Sequence, residues 1–152
     1  MKTEITPEEY INIYEACNWN PAVFSKALKA LGYSDELIID NNLDLRNNPI
    51  QSLVNIKEVD GNLNLDDTPI QDIGELQNVE GYLSLSNTPI QHLGNLQTVR
   101  SDLDLDWTPI QDIGNLRYVG RNLYLRGTPI SKKYSEEEIY EKVEIGLVLV
   151  LK

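Results

Sequence analysis

At 152 residues with a formal net charge of −11 and a sequence pI of about 4.4, the chain is long enough for one core-forming domain. Its surface repels phosphate backbones and anionic membranes, so no nucleic-acid or membrane partner is expected. The single cysteine, Cys17, rules out an intramolecular disulfide and fits a reducing compartment.

No stretch approaches the ~18 apolar residues of a membrane span. The longest apolar run is Leu147 to Leu151, and the opening MKTEITPEEY lacks a signal-like apolar centre. A cytoplasmic protein is therefore expected.

The first elements are two short helices. Thr6-Pro7-Glu8-Glu9 combines an N-cap residue, proline at the first helical position and a glutamate closing a capping box, so a helix is predicted from about Pro7 to Ala16. Asn20-Pro21 repeats the device and opens a second helix to about Leu31, with Gly32 as its C-terminal stop. Cys17 reads as a small packing residue rather than a nucleophile, because no Cys/His motif surrounds it. YEACNWNPAVFSKALKALGY resembles the first two helices of a Fis-type helix-turn-helix. That fold needs a third, groove-reading helix, whereas the acidic SDELIIDNNLDL that follows turns into a strand. Capping of a repeat array is the favoured role for the pair.

From Asn41 the chain becomes periodic. GNLNLDDTPIQDIGELQNVE, GYLSLSNTPIQHLGNLQTVR and SDLDLDWTPIQDIGNLRYVG run consecutively from Gly61 to Gly120, with a looser copy before them and half a copy after. A fixed period of this kind is the signature of a stacked solenoid. The L-x-L alternation makes a short strand with leucines inward, and proline shortly beyond it turns the chain. Ten residues broken by Gly74, Gly94 and Gly114 are too few for a helix, so an extended or 3₁₀ back is expected. The Thr68, Thr88, Thr108 and Thr128 ladder is expected to satisfy turn amides, and the Gln51, Gln71, Gln91 and Gln111 ladder to bond from coil to coil.

L-x-L-x-x-T-P-I at a twenty-residue period resembles a short bacterial leucine-rich repeat, most similar to arrays in bacterial and bacteriophage proteins. The resemblance covers about Asn41 to Ile130. It implies an α/β solenoid: a leucine-rich repeat coil with one parallel β-sheet, a helical cap over residues 1–38, repeats over 39–130 and a helix-strand cap over 131–152. All three parts would form one structural unit.

In the last part, Ser135-x-x-Glu138 is a capping box for a helix over about Glu136 to Lys142. Val143, Leu147 and Leu149 then repeat the V-x-x-x-L-x-L spacing, so the coil is expected to resume there. Val148 and Val150 occupy outward positions that are polar elsewhere, on an edge strand with unpaired backbone groups, and form a candidate dimer edge.

Where the frame is fixed, the varying positions are candidates for function. On the outward strand face Asp66, Asp67, Tyr82, Asp102, Asp104, Asp106, Trp107 and Tyr124 form an acidic surface with aromatic anchors, the composition of a protein-interaction site. Arg46 is expected opposite Asp66, and Arg126 opposite Asp106. Asp102, Asp104 and Asp106 on one strand would stand ~6.6–7 Å apart, too far to wrap one cation, so no metal is expected. No cofactor motif and no pocketed carboxylate pair for glycoside chemistry is legible, and His92 falls in a solvated back column. The expectation is a non-enzymatic protein-protein interaction module, with a phage or bacterial host-interaction role. An acidic nucleic-acid mimic and a helix-turn-helix regulator are the alternatives.

Overall fold

The computed structural model describes all residues 1–152, and the helical caps stand where their signals place them. After β1 (Lys2–Ile5), α1 runs from Pro7 to Ala16 and α2 from Pro21 to Ala30. Thr6 and Glu9 close the capping box, Asn20 accepts from the Val23 N–H, and Gly32 takes φ +84 just beyond α2. A strand follows α2, not a third helix: β2, Tyr33–Ile39. This strand begins inside the segment read from sequence as a purely helical cap.

The array is a parallel β-solenoid with two sheets, not one. The leucine strands are β3 (Leu43–Asp44), β5 (Leu63–Asn64), β7 (Leu83–Ser84), β9 (Leu103–Asp104) and β11 (Leu123–Tyr124). The valine ladder makes a second set: β4 (Ile56–Val59), β6 (Asn78–Val79), β8 (Thr98–Val99) and β10 (Tyr118–Val119). Repeats stack in steps of twenty residues, Leu63 on Leu83 and Val79 on Val99. Any extended segment of a coil therefore lies beside its own copy and can form a ladder. The valine segment does so because β-branched residues suit an extended backbone. A sharp corner divides it from the leucine strand, and there coils approach closely: a Cβ on Gly81 would stand 2.8 Å from the Gly61 carbonyl.

After β11 come α3 (Ile130–Lys133), α4 (Glu136–Lys142), β12 (Glu144–Ile145) and β13 (Leu149–Val150). β12 joins the valine sheet and β13 the leucine sheet. Here the register differs from the sequence reading by two residues: Leu123 pairs with Leu149 and Val119 with Ile145, so Val143 and Leu147 are not the ladder residues. Gly146 opposes Gly120 at the corner, where a side chain would strike the Gly120 carbonyl. A slip of two preserves side-chain parity, so Val148 and Val150 still point outward.

One cluster of 39 buried residues runs from Ile5 to Leu149, so the caps share the core of the coils. In the N-terminal cap Tyr14 stacks on Phe24 at 4.0 Å and Tyr10 meets Phe24 edge-on at 4.9 Å. Both tyrosine hydroxyls reach the back of the first coil. Tyr10 Oη donates to the Val54 carbonyl and accepts from the Val54 N–H, each at 3.0 Å. Tyr14 Oη donates to the Ser52 carbonyl at 2.7 Å. The cap therefore supplies polar partners as well as apolar cover. Burial pushes the Tyr10 phenol well above its ordinary value and Tyr14 up to about 12.

The ladders work differently from the sequence expectation. Each threonine hydroxyl donates to the leucine carbonyl three residues back, Thr68 to Leu65 and Thr88 to Leu85 at 2.7 Å, rather than accepting a turn amide. Only Thr128 also accepts, from the Ser131 N–H at 3.2 Å, where α3 replaces the ordinary turn. In the glutamine column the coil-to-coil bond is a backbone one, Gln71 N–H to Gln51 carbonyl at 2.9 Å.

Candidate functional site

The outward face of the leucine sheet carries three side-chain columns, and much of their polarity serves the frame. In the first column Asn42, Asn62 and Asp102 each accept the backbone N–H of the next coil's equivalent residue, at 2.7, 2.9 and 2.9 Å. In the second, Asp44, Asn64 and Asp104 each accept the N–H two residues on, at 3.1, 3.0 and 2.9 Å. In the third, Asp66 accepts from Ser86 N–H and Asp106 from Arg126 N–H, at 3.0 and 2.8 Å. A short side chain ending in an sp² oxygen is what this backbone needs, and amide and carboxylate serve equally.

Three ion pairs involve this face, the loosest being Arg121 Nε at 4.0 Å from Asp102 Oδ1. Arg126 Nε donates to Asp106 Oδ2 at 2.7 Å, and its terminal nitrogen contacts the same oxygen. Asp106 is only 2 % exposed, so its carboxylate is a buried partner of Arg126 rather than a surface anchor. Arg46 bonds along its own strand to Asp44 at 2.7 Å. It does not take Asp66, because the guanidinium reaches a carboxylate two positions away on one face without crossing the sheet. Asp66 instead receives the Ser84 hydroxyl.

Between the columns lies a shallow groove of about 470 Å³. Its floor is Ser84, 7 % exposed, the smallest residue of its column, so longer neighbours stand around a depression. Tyr82, Tyr124, Asp66, Asp102, Asp104 and Arg126 line it as well. Tyr124 is held in place: its hydroxyl accepts from Asn122 Nδ2 at 3.2 Å, and the Arg126 guanidinium lies 5.8 Å from its ring centroid.

Asp104 forms no ion pair, Arg126 being committed to Asp106. Its one hydrogen bond comes from the Asp106 N–H. Burial pushes its carboxyl up, and the Asp106 and Asp66 charges add to this, against the Asp106 N–H and Arg126, which lower it. Asp44, in the same column, is held below the usual carboxylate range by the hydrogen bond from Arg46.

Trp107 stands apart from the groove on the turn that follows β9. Its slot demands a left-handed backbone in every coil: Asn47, Asp67, Asn87 and Gly127 have φ of 65, 57, 57 and 67°. These are the residue types that tolerate the region. Trp107 adopts φ 60° there while 62 % exposed. Its indole lies over Gly127, where any Cβ would collide with Cε3 and Cζ3.

The structure therefore gathers Asp66, Tyr82, Asp102, Asp104 and Tyr124 into one groove and leaves Asp67 and Trp107 on the turns beside it. It adds Asn64 and Ser84, which sequence reasoning did not single out, and Arg126, which it expected only as the partner of Asp106. The signal for Ser84 was its size in a column of larger residues. At the chain's end Leu147 and Val148 are 57 % and 52 % exposed on the terminal edge, while Val150 is half-buried. His92 is exposed, and Cys17 packs partly buried against the core.

Comparison with family models, with curated proteins and with solved structures returned no match.

Proposed function

We propose that the protein is a non-enzymatic binding module of leucine-rich repeat type, docking a protein partner on the outward face of its leucine sheet. The observation that carries this reading is Trp107. A bulky residue in a left-handed slot costs of order 1 kcal/mol or more, the neighbouring coils fill that slot with Asn, Asp or Gly, and folding gains little from an indole left mostly in solvent. Tryptophan is the residue most enriched in interface hot spots, and this one follows the strand that gives Asp104 to the groove.

The test is affinity capture from the native cell with wild type and Trp107→Asn. Asn is what the adjacent coil carries at Asn87, so the variant keeps the frame. A partner held by wild type and lost by the variant is the expected result. A partner retained equally by both removes this face from the function. Competition by duplex DNA would point instead to nucleic-acid mimicry.

A second reading rests on Leu147 and Val148, adjacent, apolar and exposed immediately before β13, the edge strand of the leucine sheet. This edge pairs with a second copy of the chain about a two-fold axis. Sedimentation should show a dimer at high micromolar concentration that Val148→Lys converts to monomer. A strict monomer unchanged by the substitution would refute it.

A further inference from the structure

Building on the proposed use of this face, we infer that the groove over Ser84 receives one cationic side chain, lysine or arginine, from the protein partner. The argument starts from what the fold requires of each carboxylate. Asp104 caps the Asp106 N–H through a single oxygen, and Asn64 performs the same service for Asp66 with an amide. Asp102 caps the next coil as Asn42 and Asn62 do. The negative charges of Asp102 and Asp104 are thus surplus to the frame, and both line the groove.

The second strand of the argument is neutralisation. Asp44 shows how the frame handles a charge at this column: Arg46 sits 2.7 Å away. In the groove the one guanidinium, Arg126, is spent on Asp106. The lining holds Asp66, Asp102 and Asp104 against Arg126; Asp102 has Arg121 at 4.0 Å, while Asp104, half-buried, forms no ion pair and feels Arg126 only at longer range. The third strand is shape. A depression over a serine, lined by Tyr82 and Tyr124, accepts a slender alkyl stem whose charged head meets Asp104. A neutral polar side chain would satisfy the shape and leave the charge uncompensated.

The experiment titrates Nα-acetyl-arginine amide and Nα-acetyl-lysine amide into ¹⁵N-labelled protein at constant ionic strength, with Nα-acetyl-citrulline amide as the neutral comparison. Saturable shifts at Ser84, Asp104 and Tyr124 are expected for the cations, with binding at least tenfold weaker for citrulline. Asp104→Asn should weaken the cations about tenfold. Asp67→Asn, which removes the same charge from an exposed turn outside the groove, should not. Equal binding of citrulline, or equal weakening by Asp67→Asn, overturns the inference, the latter by showing that only diffuse net charge is felt. Partner capture separates the two proposals. Loss with Trp107→Asn but not with Asp104→Asn keeps the face and discards the groove. Retention with Trp107→Asn discards the face, whatever the titration shows.

Discussion

Tyr10→Phe tests how the N-terminal cap holds the first coil. The Tyr10 hydroxyl is fully buried and bridges both polar groups of the Val54 backbone, at 3.0 Å each. Deleting one oxygen strands an N–H and a carbonyl together, at a residue that is itself buried. A buried unsatisfied group costs about 1–3 kcal/mol, against about 1 for an ordinary hydrogen bond. With partial relaxation the expected loss is about 2–4 kcal/mol. Tyr14→Phe is the internal control, because it removes a single bond to the partly exposed Ser52 and should cost about 0.5–1.5 kcal/mol.

Urea unfolding followed by far-UV dichroism and by fluorescence suits the comparison, since Trp19 lies 5.0 Å from the Tyr14 ring and reports on the cap. Faster hydrogen exchange at the Val54 amide should accompany the loss. A Tyr10→Phe cost no larger than that of Tyr14→Phe would refute the view that the cap works through polar satisfaction. The cap's contribution would then be apolar burial alone.

Three further outcomes are expected. Both tyrosine pKa values are raised in the folded state, so their contribution is complete below pH 10 and is lost as pH rises above it, for Tyr14 towards about 12; alkaline unfolding over the Tyr14 window should be shallower in Tyr14→Phe, as dichroism would show. Gly127→Ala should cost about 2 kcal/mol or more, combining left-handed strain with the collision against Trp107; in a Trp107→Asn background the cost should fall to about 1 kcal/mol. Within one column, Asp44 adds stability that is lost as pH falls below 3.8, while Asp104, raised, favours the fold only below its own pKa, so carboxyl ¹³C titration should separate the two midpoints in opposite directions from 3.8. At neutral pH Asp104→Asn should accordingly leave stability unchanged or raise it by up to about 0.5 kcal/mol.

The amino-acid sequence by itself determined the solenoid, its step and its inward leucines, because a twenty-residue repeat specifies which residues are lateral neighbours. It also determined the three long helices to within a residue, since Thr6, Asn20 and Ser135 are local signals that act through bonds to residues three positions away. The final register was legible too: Ile145-Gly146-x-x-Leu149-x-Leu151 copies Val119-Gly120-x-x-Leu123-x-Leu125, and the competing match at Val143 differs only by a parity-preserving slip.

Tertiary structure alone decided which outward carboxylates are frame and which face solvent. Asp106 and Asp104 are two residues apart in the chain, yet one is sealed beneath Arg126 and the other lines the groove without an ion pair. That outcome depends on which way an arginine one coil further on turns, and on the small side chain at Ser84 one coil earlier. Trp107 is the same case: its identity was plain in the sequence, but only the left-handed backbone beneath it and the bare Gly127 beside it show that the fold bears a cost to present that indole.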